Sequence, residues 1–240
     1  MPQTRIRAIA LRTVKYSDTQ GIATLITREG GRLSALVPLG ASPPSRRLRT
    51  ITTPLSLFEA IATTRSGQSI ARLTEARAIL YSPAVTGSPT HTIVSAFVAD
   101  FLGAALKDSG ADPLLFDWLE QQIELLATLK GTALANFHLS LLYRLTHFLG
   151  IEPDIGTYAS GRYFDMEEAR FTASMPMHTH ALAPEEAAVA RLLSRIGDRT
   201  LGLLRLSAAN RGRILDTLLQ YYALHHAPLT LASLDIIRQI

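Results

Sequence analysis

Runs of apolar and β-branched residues alternate with turn-forming residues through the first eighty positions. Gly30-Gly31 and Ser66-Gly67 are breaks of the kind that close tight turns between antiparallel strands. The pattern predicts two hairpins, over 21–37 and 55–79. Five β-strands are expected in all, over residues 5–16, 21–28, 32–37, 55–64 and 69–79.

The first of these strands does not keep a constant alternation of apolar and polar positions. In "RIRAIALRTV" at 5–14 the large apolar residues change from one parity to the other. A β-bulge inserts one extra residue into a strand and produces such a change. Five short strands with a sharply bent first strand favour a small closed barrel.

Helical spacing of apolar residues replaces this pattern after a predicted loop at 82–89. Asp112 followed by Pro113 is typical of an N-cap and the first helical residue. A second helix carries apolar residues at steps of three and four over 134–149, and Gly150 stands where a C-terminal glycine belongs. Further helices are predicted after Pro184, where Glu185 and Glu186 complement the helix dipole, and from Ser207 to Pro228.

One segment interrupts the helical half of the chain. "RYFDMEEARFT" at 162–172 places aromatic residues on both sides of an acidic turn, which favours a short β-hairpin. The predicted fold class is therefore α+β and multidomain: an N-terminal five-stranded β-barrel, then an α-helical domain that contains a small hairpin.

The amino-acid composition excludes several kinds of functional site. The 240 residues include no cysteine, so disulfides, thiolate zinc sites and a cysteine nucleophile are excluded, and a reducing cytoplasm is the expected location. The N-terminus lacks the apolar core of a signal peptide. The most apolar stretch, 92–106, is too short for a membrane span and contains Asp100, so a buried helix is predicted there.

Positive charge is segregated along the chain. Residues 1–80 contain twelve Lys or Arg against four Asp or Glu, net +8, whereas 81–240 contain twelve against sixteen, net −4. Such asymmetry points to an anionic partner for the basic part, with nucleic acid or membrane headgroups as candidates. A solvated basic face without a partner is the alternative.

Enzyme signatures are missing. The chain has no nucleophile elbow, no phosphate-binding loop and no dinucleotide-binding glycine pattern. His138 and His147 lie nine residues apart, and His178 and His180 lie in a proline-flanked loop for which no nearby carboxylate cluster is expected, so no metal site is predicted. The acids of "DMEE" at 165–168 are expected to form a solvated turn, the alternatives being paired acids of an unrecognised hydrolase and a site for a divalent cation.

Two pairs of residues near the C-terminus are explained by helix structure alone. Tyr221 and Tyr222 are expected to pack in a core, and His225 and His226 to stand at a helix end.

The basic residues of the first half are the remaining candidates for function. They would line a cationic groove if the long loop "GASPPSRRLRT" at 40–50 folds over the face of the second and third strands. The predicted DNA-binding residues are Arg5, Arg7, Arg12, Lys15, Arg32, Arg46, Arg47 and Arg49. The alternative for this loop is a slack linker that Pro43 and Pro44 stiffen.

Base stacking is expected to contribute little to such a groove. The first eighty residues contain only two aromatic residues, Tyr16 and Phe58, and Phe58 is predicted to point inward. Binding should therefore be to phosphates, which leaves base edges free to pair with a second strand. Strand annealing is a physically reasonable activity of this arrangement.

Four separated segments resemble the RecO family of bacterial DNA repair proteins. They are "IRAIALRTVKYSDTQGIATLITREGGRLSALVPLG", "LANFHLSLLYRLTHFLGIEPD", "YFD" and "LSAANRGRILDTLLQYYALHH". The resemblance implies an OB-fold nucleic-acid-binding domain at 1–81 and an α-helical, partner-docking domain at 82–240.

The resemblance also implies a function. Members of the family are non-enzymatic recombination mediators that bind single- and double-stranded DNA and anneal complementary strands. They also bind the acidic C-terminal tail of single-stranded DNA-binding protein (SSB) and work with RecR to load RecA. An adaptor whose basic domain binds an acidic protein partner, with DNA contact incidental, is the alternative.

The resemblance also leads to expectations for individual residues. Many members bind zinc through four cysteines beside the "YFD" hairpin; these are absent here, so no zinc is expected, and Tyr163, Phe164 and Phe171 should hold the hairpin by packing. The long loop between the third and fourth strands is typically basic in the family. In this chain that loop is the stretch at 40–50, which supports Arg46, Arg47 and Arg49 as DNA contacts. For the SSB tail, Arg144 in an apolar helix is the candidate, the alternative being a surface arginine without a partner.

Overall fold

The computed structural model describes residues 3–64 and 69–240. Its N-terminal part is a closed barrel in the order β1-β2-β3-β5-β4, in which β3 and β5 are parallel and the other neighbouring pairs are antiparallel. This is an OB-fold, and it confirms the five predicted strands. They are β1 (Gln3–Lys15), β2 (Gln20–Thr27), β3 (Gly31–Pro38), β4 (Leu57–Thr63) and β5 (Ile70–Leu80).

Both predicted hairpins are present. At the first turn Gly31 has φ of +69°, and a side chain there would meet the backbone of Gly110 at 2.5 Å, so only glycine fits. The Thr27 hydroxyl donates to the Gly31 carbonyl at 2.8 Å and accepts from the Gly30 N–H at 3.2 Å. Strands β4 and β5 pair antiparallel as predicted, and their Ser66-Gly67 turn lies outside the described residues.

The predicted bulge in β1 is confirmed by a shift of register between Ala10 and Arg12. Before it, Ile6, Ala8 and Ala10 point into the barrel. The interior is rich in alanine, and such small side chains let a five-stranded barrel close tightly. Phe58, fully buried as predicted, is the one aromatic residue of this core.

The basic stretch at 40–50 is a helix and not a loop, so that prediction was wrong. Helix α1 (Pro43–Ile51) begins at Ser42, whose hydroxyl accepts from the Ser45 N–H at 3.4 Å, and proline occupies its first positions. Proline is favoured there because the first helical N–H groups have no acceptor within the helix. Leu48 and Ile51 anchor the helix against the barrel core.

The rest of the first compact unit is helical. It comprises the described residues up to Leu129, together with Leu231–Ile237. Its helices are α2 (Pro83–Thr86), α3 (Pro89–Ala105), α4 (Pro113–Thr128) and α8 (Leu234–Ile237). Asp112 caps α4 as predicted, its carboxylate accepting from the Leu115 N–H at 3.0 Å. The loop predicted at 82–89 contains the short helix α2, which Ser82 caps.

Asp100 of α3 accepts hydrogen bonds from the backbone N–H and the hydroxyl of Ser233, at 3.0 and 2.8 Å. These bonds fasten the returning segment Leu231–Ile237 to α3. No helix in the described part of the chain is both long and apolar enough to cross a membrane.

The second compact unit spans Lys130–Thr230 and Arg238–Ile240. Its elements are α5 (Gly131–Phe148), β6 (Tyr163–Asp165), β7 (Arg170–Thr172), β8 (Ala181–Leu182), α6 (Pro184–Arg195) and α7 (Ala208–His225). The predicted helices and the hairpin are therefore confirmed, and Gly150 ends α5 with φ of +69°.

The hairpin packs through a small apolar cluster in which Phe164 and Phe171 are buried with Tyr221 and Met166. The two phenylalanines hold it as predicted, whereas Tyr163 is half-buried and lies outside the cluster. The first compact unit extends past the predicted domain boundary between 81 and 82, since it also contains α2, α3 and α4. A boundary at that point therefore stays a prediction.

Candidate nucleic-acid interface

The predicted DNA-binding residues divide into paired and exposed cations. Arg7 on β1 donates from Nε to Glu120 of α4 at 2.9 Å, and its Nη2 makes a shorter contact with the same carboxylate. Glu59 lies 3.5 Å from the guanidinium on the other side. Hydrogen bonding to Glu120 raises the pKa of Arg7. This arginine is neutralised by two carboxylates and fastens α4 to the barrel.

Arg28 forms a second link of the same kind. Its Nε and Nη2 donate to the two carboxylate oxygens of Asp117 at 2.7 and 2.9 Å, a bidentate pair. The hydrogen bond from Arg28 lowers the pKa of Asp117. Together with the bond between Arg7 and Glu120, this pair uses two of the basic residues of the first half to hold α4.

Arg32 and Arg12 form a pair of neighbouring cations. Arg32 is half-buried and donates to the Gly103 carbonyl at 2.8 Å. Burial lowers the pKa of Arg32, and the nearby charge of Arg12 lowers it further. Arg12 is exposed and makes no side-chain hydrogen bond or ion pair with any described residue. A phosphate bound beside two guanidinium groups would offset their mutual repulsion and accept hydrogen bonds from both.

The arginines of α1 differ in availability. Arg49 is half-buried and donates to the Leu39 carbonyl at 2.5 Å. Arg46 and Arg47 are exposed, and their side chains have no hydrogen-bond or ion-pair partner within 3–64 and 69–240. Helix α1 thus keeps one arginine for its own attachment and presents two to solvent.

Strand register shows where Lys15 stands on the barrel. Lys15 pairs with Gly21, which pairs with Val37, so Lys15 stands at the end of the barrel where β3 leads towards α1. Its ammonium contacts Asp18 at 2.8 Å in an exposed ion pair. Exposed pairs of this kind contribute little to the stability of the fold. We use the name basic edge for Arg12, Lys15, Arg46 and Arg47.

A second group of exposed arginines includes two residues of β5 that were not among the predicted contacts. Thr63 pairs with both Gln3 and Arg72, and Ile61 pairs with both Arg5 and Thr74, so β1, β4 and β5 share one outer face. Arg5, Arg72 and Arg77 are exposed and have no hydrogen-bond or ion-pair partner among the described residues. The signal available in the sequence was the alternation of arginine with smaller residues in "IARLTEAR" at 70–77.

Exposed aromatic rings are scarce near these cations. Phe58 is buried, whereas Tyr16, next to Lys15, is 64% exposed. A surface rich in guanidinium groups and poor in rings suits contact with phosphates more than stacking with bases.

The predicted partner residue Arg144 is not free in the second unit. Its Nη1 donates to Asp198 at 2.5 Å. A cavity of about 290 Å³ lies in the same unit between α5, α6 and α7, and Arg144 does not line it. Arg213 does, together with an apolar wall that includes Leu193 and Ile214, and with Glu185 and Glu186.

The "DMEE" segment acts as a turn. Asp165 accepts the backbone N–H groups of Glu167 and Glu168 at 2.9 and 3.0 Å, and Glu168 forms an ion pair with Arg170. Burial alone would raise the pKa of Asp165, but these N–H groups and His178 hold it below the usual range. Asp165 is therefore ionised at neutral pH and stabilises the turn.

The expectation that no carboxylate lies near His178 and His180 was wrong. One potential ligand atom from each of Glu167, His178 and His180 lies within 4.8 Å of the other two. The cause is the pairing of β6 with β8, which brings residues eleven and thirteen positions apart to the same place.

The other histidines and the paired tyrosines have structural surroundings. Burial lowers the pKa of His138 to about 3, so that ring is neutral. His147 pairs with Glu152 at 2.8 Å on the surface. Tyr221 and Tyr222 are buried, and their hydroxyls donate to backbone carbonyls at 2.6 and 2.8 Å, in agreement with core packing.

Comparisons with known proteins cover nearly the whole chain. Residues 1–81 match the family model "Recombination protein O N terminal", and residues 88–235 match "Recombination protein O C terminal". A curated DNA repair protein RecO from Phocaeicola vulgatus is 34% identical over 97% of this chain and 96% of its own length. A protein of the same name from Bacteroides fragilis is 33% identical over 97% and 96%. Another, from Porphyromonas gingivalis, is 33% identical over 94% and 93%.

Proposed function

This chain belongs to the RecO family of DNA repair proteins, and from that premise we propose that it is a recombination mediator that works by binding and not by catalysis. It grips single- and double-stranded DNA through backbone phosphates and anneals complementary strands. With RecR, it helps to load RecA onto DNA that SSB covers. These roles need access to the chromosome, so we propose that the protein works in the cytoplasm.

The observation that supports the proposed DNA binding is the set of exposed, unpaired arginines on the unit that contains the barrel. Arg12, Arg46 and Arg47 have no internal anion among the described residues, whereas Arg7 and Arg28 are already neutralised. Phosphate is the ligand that such free guanidinium groups bind best, because the planar fork matches its oxygens. We therefore assign the grip to the basic edge, with the Arg5, Arg72 and Arg77 face as a second contact.

Annealing follows from contact that is limited to the DNA backbone. Neutralising phosphates on two strands removes their mutual repulsion and raises their local concentration. With one exposed ring, Tyr16, beside the basic edge, few bases would be sequestered by stacking. The base edges then remain available for pairing while the strands are held.

For the SSB tail we infer that the cavity of the second unit is the docking place. An acidic peptide that ends in apolar residues needs an apolar hollow with a cation beside it, and Arg213 supplies that cation. Arg144 is held by Asp198, so Arg213 replaces it as the main candidate. Glu185 and Glu186 also line the cavity and repel acidic side chains, so the acidic residues of the peptide should lie on the side of Arg213.

Salt titration of the full chain against a single-stranded oligonucleotide tests the DNA grip. Log affinity should fall linearly with log salt concentration. Replacing Arg46 and Arg47 with Ala should reduce the slope by about 1.4, since each lost contact with a single-strand phosphate contributes about 0.7. The control variant replaces Arg199 and Arg205, two exposed arginines of the second unit, and removes the same charge without changing the slope.

The same variants separate DNA mediation from the adaptor alternative. The wild-type protein should accelerate duplex formation between two complementary strands, and the double variant in α1 should lose most of this acceleration. If the wild-type protein binds an acidic peptide but leaves annealing at the spontaneous rate, the adaptor function is correct and the mediator function is not.

A further inference from the structure

The turn of the hairpin in the second unit lies beside the segment that leads into β8. Glu167 belongs to the turn between β6 and β7, and His178 and His180 precede β8. The Nδ1 atoms of His180 and His178 lie 2.8 and 3.6 Å from the same oxygen, Oε1 of Glu167. Three different potential ligands thus converge around a single point.

Asp165 orients one of these ligands. Its Oδ1 lies 3.2 Å from Nε2 of His178, on the opposite side of the ring from Nδ1. A carboxylate in this position keeps the proton on Nε2 and leaves the lone pair on Nδ1, the arrangement that metal-binding histidines commonly show. Nδ1 of His178 is itself buried and has no hydrogen-bond partner among the described residues.

We propose that Glu167, His178 and His180 form a zinc site. Ligand atoms around a tetrahedral zinc ion with bonds of 2.0–2.2 Å lie about 3.3 Å apart, which falls between the two distances observed here. Two imidazoles and one carboxylate form a donor set that zinc accepts, with water in the fourth position. These ligands differ in kind and number from four cysteine thiolates, which this chain cannot supply.

Such a site would have a structural effect that is independent of the proposed DNA grip. It would cross-link the turn at 165–168 to the segment before β8, in addition to the backbone hydrogen bond that the Met166 N–H donates to the His180 carbonyl at 2.9 Å. The hairpin strands β6 and β7 have three residues each, and β8 has two. Elements this short are marginally stable alone, so a cross-link at their edge should increase the stability of the second unit.

Isothermal titration calorimetry with zinc chloride tests the site directly. The full chain without an affinity tag, stripped with a chelator and dialysed, should bind one zinc ion in a saturable step. Its melting temperature should rise with zinc concentration, because a ligand that binds only the folded state stabilises it. Affinity should fall as the pH is lowered, since protons compete for the imidazole nitrogens.

Matched variants assign the binding to these residues. Glu167→Gln keeps the size of an exposed side chain and should weaken zinc binding by about tenfold or more, given that loss of an outer-shell partner alone costs 10–100-fold. His180→Ala should do the same. His147→Ala is the control, because His147 and Glu152 form a surface pair at the same 2.8 Å spacing without a second histidine.

Two results would overturn the zinc site. One is a wild-type protein that shows no saturable binding, in which case the histidines simply share a carboxylate. The other is a triple variant, Glu167→Gln with His178→Asn and His180→Asn, that binds zinc as tightly as the wild type. Neither result would alter the salt-titration outcome for Arg46 and Arg47, so failure of the two proposals can be told apart.

Discussion

Neighbouring arginines of one strand have different roles because of what lies opposite them. Arg5 and Arg7 are two residues apart on β1 and point to the same face of the barrel. Glu120 and Glu59 neutralise Arg7, whereas Arg5 is exposed and forms no ion pair with a residue of the described ranges. The sequence showed two equivalent arginines, since Glu120 lies 113 positions from Arg7 and its approach depends on the packing of α4.

Arg7→Ala should therefore affect mainly stability, and Arg5→Ala mainly DNA binding. Arg7→Ala leaves the half-buried Glu120 carboxylate without its donors and should lower the free energy of unfolding by about 1–3 kcal/mol. Arg5→Ala should change it by less than about 0.5 kcal/mol and reduce the salt dependence of DNA binding instead. Urea denaturation and oligonucleotide titration measure the two effects. Equal stability of both variants would contradict the structural role of Arg7.

Elements with strong apolar periodicity were predictable from the sequence, and helix α1 was not. Helices α4 and α5 carry long apolar stripes and clear caps at Asp112 and Gly150. Helix α1 offers only Leu48 and Ile51 as anchors among charged and polar residues, and its two prolines are typical of loops as well as of a first helical turn. Its conformation depends on the Ser42 cap and on the nearby barrel, so local sequence could not settle it.

The cap of α1 provides a test at the level of the element. Ser42→Ala removes the acceptor for the Ser45 N–H and should cost about 1 kcal/mol of helix stability. Fraying would release Arg46 and Arg47 from a fixed spacing, so DNA affinity should fall although no cation is removed. Hydrogen exchange over 45–51 should become faster. Ser42→Asp retains a cap and should restore protection, although its negative charge will lower DNA affinity somewhat.

The candidate zinc ligands illustrate a second limit of sequence analysis. The sequence offers His178 and His180 as possible ligands, and it offers the acids at 165–168 as a turn or a cation site. Their proximity depends on the return of the chain through β7 and on the pairing of β6 with β8. A pairing between strands of two or three residues leaves almost no periodic signal, so the two observations could not be joined before the fold was known.

At the level of the whole molecule, the proposed function assigns a different partner to each of the two compact units. The first concentrates exposed cations for a polyanion, and the second contains the apolar cavity with Arg213. We expect a synthetic peptide with acidic residues and an apolar C-terminal end to bind the full chain, and Arg213→Ala to weaken it about fivefold or more, the loss of one charged hydrogen bond. Fluorescence anisotropy of the labelled peptide measures this.

The control for the peptide is Arg199→Ala, an exposed arginine of the second unit that does not line the cavity. It should bind the peptide as the wild type does. If Arg144→Ala abolished binding while Arg213→Ala left it unchanged, the earlier expectation for Arg144 would be correct and the cavity assignment would fail.

The path of the chain has a consequence for biosynthesis. The first compact unit takes its last helix, α8, from Leu231–Ile237, about a hundred residues after Leu129. Until translation has passed that point, Asp100 lacks the two hydrogen bonds that Ser233 donates. On the ribosome the barrel can form early, but its unit gains its final helix only after Lys130–Thr230 of the second unit has been synthesised. Completion of the barrel-containing unit therefore depends on synthesis of nearly all of the other unit.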